Sequence, residues 1–192
     1  WDYHGTLPEG KIAEEPAIFA RVVAADGKMG KVMCVGSKGT GEMTRSFAPA
    51  LAPMGGGKYA AAWIESCLDG KFIALRICAT RFTTEGAEEA VTLAVFPATA
   101  PEFPGAPRFF PGESGLFVVY PVTGADGVSR LHRHAFAEEA ASESTTIDDA
   151  FLGDWAGSVD EDGALWVAAV RSPSGSNDPM AGKVGLKRQM LK

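Results

Sequence analysis

The chain of 192 residues is long enough for one ordinary domain with a core, and its 46% hydrophobic and 22% charged content is that of a globular protein. A formal charge of −6 with scattered basic residues excludes the concentrated basic patch that a nucleic-acid partner requires. No apolar run reaches the roughly 20 residues that a helical membrane span needs, so none is expected.

The sequence starts at Trp1 rather than Met and shows no signal peptide, which suggests a removed leader or a piece of a longer polypeptide. In chain order, the first strong signal is Asp26-Gly27, set between the apolar runs "AIFARVVAA" and "KMGKVMCVG". Asp-Gly suits the positive-φ positions of a type I′ turn, so a β-hairpin is predicted here. A weaker strand, "EMTRSFAP", is followed by a Pro-rich lead-in and "GGGK" at residues 55–58. That string fails as a phosphate loop, because Ala52 and Tyr59 stand where Gly and Ser or Thr are needed. It reads as a turn.

The second hairpin joins "KYAAAWIESC" to "KFIALRICATRF" through Asp69-Gly70. Tyr59, Ala61 and Trp63 alternate with Ala60, Ala62 and Ile64, so this strand is apolar on both faces and is predicted to lie between layers. Another strand, "AVTLAVFPA", follows. The third hairpin joins "GLFVVYPVTG" to "VSRLHRHAF" through Asp126-Gly127. Next, "AEEAASESTTIDDAF" reads as a polar loop or a short helical turn. The fourth hairpin joins "WAGSV" to "ALWVAAV" around Asp162-Gly163, and "KVGLKRQML" could return as a last strand.

The four Asp-Gly turns are spaced 43, 57 and 36 residues apart. A hairpin unit recurring every 40–50 residues is the mark of a propeller or similar repeat array. The predicted fold is all-β, a β-propeller-like array of about four antiparallel blades, with a β-sandwich or barrel as the alternative. The chain is read as one repeat domain, 1–192, with units 1–45, 46–100, 101–145 and 146–192. The three cysteines, Cys34, Cys67 and Cys78, form no even disulfide framework. A type I′ turn would pair Cys67 with Phe72, leaving Cys67 and Cys78 out of register, so buried thiols are expected.

Two phrases share a pattern: "DYHG" at residues 2–5 and "DWAG" at 154–157, which begin 152 residues apart. "LGDWAGSVDEDGALWVAAVR" resembles a phrase of sialidase-like and other BNR-type β-propellers. "KYAAAWIESCLDGKFIALRICATRF" resembles the blades of large secreted propeller repeats. Ser158, Asp160, Gly163 and Trp166 follow the order of the sialidase Asp-box with one extra residue. The arginine triad and Arg-Ile-Pro phrase of catalytic sialidases have no counterpart. The resemblance implies blades, an extracellular or periplasmic setting, and assembly with another propeller-forming chain if four units do not close alone. In such propellers the Asp-aromatic phrase opens an inner strand near the central channel. Asp2, Tyr3, Asp154 and Trp155 are therefore candidate ligand-binding residues, against a turn-capping role for each Asp.

No cofactor is expected, apart from a conceivable Ca²⁺ at the acidic Gly turn through Asp160 and Asp162. His132 and His134, two apart on a predicted strand, face the same way and could ligate a metal, though only His4 is left as a third histidine. No nucleophile elbow is present, and nothing local supports a Ser/His/Asp triad, which assembles only in space. Two functions follow. One is a non-catalytic module that binds a protein or glycan partner through its loop face. The other is a sialidase-like glycoside hydrolase, or a fragment of one, using channel carboxylates such as Asp2 and Asp154.

Overall fold

A computed structural model of the chain describes residues 17–36, 45–69, 71–113, 115–136, 144–171 and 183–191. The described residues are all-β, and contain no helix long and apolar enough to cross a membrane. The chain divides into two compact units, residues 1–100 and 101–192. The sheets are antiparallel and none is closed.

In the first unit, β1 (Phe19–Val23) and β2 (Met29–Cys34) form a hairpin. A four-stranded meander follows: β3 (Arg45–Gly55), β4 (Lys58–Asp69), β5 (Phe72–Phe82) and β6 (Val91–Phe96). The lead-in read as Pro-rich is itself β3. Its Pro49 and Pro53 are tolerated because β3 lies at the sheet edge, where no neighbour needs the missing N–H. The β4–β5 ladder is regular from Tyr59↔Phe82 to Asp69↔Phe72.

Ile18, Ala20, Met33 and Val35 pack with Ala61, Trp63, Cys78 and Phe82 in one buried cluster. On the opposite face of β4 and β5, Ala60, Ala62, Ile64, Ile77 and Ala79 are also buried, so the central strands are covered on both sides as their two-sided apolar pattern requires. No disulfide joins Cys34, Cys67 or Cys78, and burial pushes the Cys78 thiol up to about 12. The expected pairing of Cys67 with Phe72 is corrected by two positions: Cys67 pairs with Ala74, and Cys78 with Trp63.

The second unit is one seven-stranded sheet. It comprises β7 (Phe103–Pro104), β8 (Arg108–Gly112), β9 (Gly115–Thr123), β10 (Ser129–Phe136), β11 (Thr145–Val159), β12 (Ala164–Arg171) and β13 (Lys183–Met190). β7 and β8 each pair with β9, and from β9 the order runs sequentially to β13. Strand pairing thus crosses residue 145 without a break. β11 serves two neighbours. Thr145 to Phe151 pairs with β10, Leu152 to Val159 pairs with β12, and the ladder shifts between Leu152 and Trp155 beside Gly153 at φ 70°. Such an irregularity bends a strand. The core draws on both halves: Phe110, Phe117, Val119, Leu131, Ile147, Phe151, Trp155, Leu165 and Val167 form one buried cluster.

The Asp-Gly signals mark hairpins, but three of them are not type I′ turns. In each, Gly donates its N–H to the carbonyl three residues back: Gly27 to Ala24, Gly127 to Gly124 and Gly163 to Asp160. Only the Gly has positive φ, at 82°, 71° and 76°. This is the three-residue loop, a type I turn closed by a left-handed glycine. The Asp side chains explain the choice. Asp26 and Asp126 each accept the backbone N–H two residues on, at 3.0 Å, which holds Asp out of the left-handed region. The type I′ geometry falls instead on Gly56-Gly57, with φ 58° and 77°, between Gly55 and its partner Lys58.

Candidate functional site

Two polar constellations are built on the second unit. The first surrounds the β11–β12 turn. Asp160 Oδ1 accepts the backbone N–H groups of Asp162 (3.1 Å) and Ala164 (2.9 Å). Its Oδ2 accepts the Trp166 indole N–H (2.8 Å) and Arg188 Nε–H (3.0 Å). Arg188 also donates from Nη2 to Asp162 Oδ2 at 2.7 Å. These donors, the Ala164 amide foremost, then Trp166 and Arg188, hold the Asp160 carboxyl down at about 2. Both Asp160 oxygens therefore serve protein donors, and a Ca²⁺ ion at Asp160 and Asp162 has to displace the Arg188 guanidinium.

The same bonds fix Trp166. Its ring is 41% exposed although its N–H is tied down. The register Trp166↔Arg188, Ala168↔Leu186 and Val170↔Val184 puts these side chains on one face of β12 and β13. On that face Leu186 and Val184 are 71% and 74% exposed. A rigid indole, an apolar floor and a carboxylate–guanidinium pair thus lie side by side.

The second constellation sits on β9 and β10. His132 lies opposite Tyr120 in the ladder, and His134 is two residues further along the same face. Both imidazoles lie nearly parallel to the Tyr120 ring, each at 15°, with centroids 6.0 and 5.7 Å away. Tyr120 OH and His134 Nε2 share a hydrogen bond of 2.8 Å in a buried setting. Burial pushes the Tyr120 phenol up to about 12, against a hydrogen bond with Ser144 that pulls it down. Ser144, exposed just before β11, also meets His132 Nδ1 at 3.1 Å. Desolvation lowers the His132 value, and His134 and Arg130 push the same way, while Glu102 opposes them.

The residues anticipated from sequence scatter. Asp2 and Tyr3, like His4, lie outside the described residues. Asp154 is exposed beside Gly153, but its neighbour Trp155 is a core residue, only 8% exposed. The Trp155 ring packs against Phe110 (centroids 6.0 Å) and under the Arg108 guanidinium at 4.6 Å. His132 and His134 do share a face, yet each commits a ring nitrogen to a hydroxyl. Among the described residues no three His, Cys, Asp or Glu side chains converge as metal ligands. Ser144 and Arg188 were not anticipated as site residues. Arg188 meets Asp160 from 28 positions away, and no local motif announces that meeting.

No protein-family model matches the chain, and no curated protein matches it.

Proposed function

We propose that this chain is a β-propeller-like module that binds a glycan or protein partner through the Trp166 face of β12 and β13. One observation carries the reading: Trp166 is held by Asp160 yet left half-open beside exposed Leu186 and Val184. Aromatic faces with a few fixed polar groups around them suit sugar rings, which stack on the indole and hydrogen-bond at their rims. A glycan is therefore the first partner to test. The recurring Asp-Gly hairpins support the array of about four units, as does the β3–β6 meander, whose four strands are the content of one blade. For residues 101–192, the unbroken seven-stranded sheet favours the sandwich-like alternative.

Screening the purified chain and its Trp166→Ala variant on a glycan array tests the proposal. Binding by the native chain that falls at least tenfold in the variant is expected, since an aromatic anchor typically carries more than about 1 kcal/mol. Equal binding by both proteins removes the Trp166 face. Silence of both removes the glycan and leaves a protein partner.

A further inference from the structure

The geometry points to Ser144 as a covalent nucleophile for acyl and phosphonyl groups, with His132 as its base and the Tyr120 ring positioning that base. This goes beyond binding at Trp166 and makes no use of that face. Four side chains form a continuous hydrogen-bonded line: His134 to Tyr120 at 2.8 Å, Tyr120 to Ser144, and Ser144 to His132 Nδ1 at 3.1 Å. Attack by Ser144 uses one of the two directions in which these links can be donated. His134 Nε2–H donates to the phenol oxygen, the phenol O–H donates to Ser144 Oγ, and the Ser144 hydroxyl donates to His132 Nδ1.

In that direction the acceptor that a hydroxyl nucleophile needs is already in place for the Ser144 proton. Desolvation keeps His132 neutral and able to accept near pH 7. Stacking on Tyr120 fixes the imidazole plane, and the buried His134 fixes Tyr120. Ser144 itself is exposed, so an ester carbonyl can reach it. The step balances. The Oγ–C bond forms as the hydroxyl proton passes to His132 Nδ1. Then the C–O bond of the leaving alcohol breaks, and that alcohol takes the proton from Nδ1. Acyl-Ser144 and neutral His132 remain, and water completes the hydrolysis.

The test is reaction of the whole chain with a fluorophosphonate, in which the Oγ–P bond forms, the P–F bond breaks, and fluoride and the serine proton leave. Intact-mass and peptide mass spectrometry read the adduct. One adduct on the peptide holding Ser144 is expected, absent in Ser144→Ala. His132→Gln should slow labelling about 100-fold, the usual scale of a general base. A native chain that gives no adduct at Ser144 overturns the inference, whatever the variants do. So does a folded His132→Gln variant, checked by circular dichroism, that labels at the native rate.

Discussion

Asp160 shows how one side chain sets a local structure. It closes its own turn, pins an indole and holds an arginine from another strand, using both oxygens. Those bonds require the carboxylate. Because they lower its value from 3.8 to about 2, their stabilising effect is fully present above the ordinary carboxylate range and is lost as pH falls toward about 2. Thermal unfolding followed from about pH 5 to pH 2 should show the native chain losing stability that Asp160→Asn never had, so the two melting curves converge at the acidic end. Parallel curves with a constant gap would show that protonation of Asp160 does not govern the turn.

At the scale of elements, hairpin positions are legible in the sequence while their geometry is only half so. Asp26 and Asp126 announce a reversal, but their side chains choose its class by capturing the amide two residues on. The weak strand read in "EMTRSFAP" marks only the start of β3; its continuation was hidden by Pro49 and Pro53, which forbid an interior strand but not an edge one. The polar start of β11 was hidden in "TTIDDAF", since only pairing with β10 makes it a strand. The first sheet also holds a local conflict. Ser46 stands opposite Glu65, itself opposite Arg76, and Trp63 is two residues along the same face. Ser46 Oγ, Glu65 Oε2 and Trp63 Nε1 are buried without a hydrogen-bond partner. An unsatisfied buried hydroxyl is a net cost, so Ser46→Ala should raise stability by about 1 kcal/mol in urea unfolding. A loss of that size would mean that the hydroxyl is satisfied in solution.

For the whole molecule, the buried cluster of the second unit draws, among the described residues, on positions between Phe110 and Leu191. Residues 101–192 expressed alone should therefore keep their fold, giving dispersed amide resonances and a cooperative melt. A collapsed spectrum would show that this core needs the rest of the chain. The site was less legible than the fold. His132 and His134 could be placed on one face from their spacing, because strand alternation is local. The Ser144 partner of His132 comes from 12 residues further on, and Arg188 from 28 beyond Asp160. Such meetings depend on ladder register, which one sequence does not print.

β11 begins immediately after Ser144 and ends immediately before Asp160. One rail of backbone thus joins the serine line at one end to the clamped indole at the other. The bend at Gly153 is the only slack along it marked by a left-handed residue. Whatever pulls on the indole end draws on the same fifteen residues that seat the Ser144 hydroxyl.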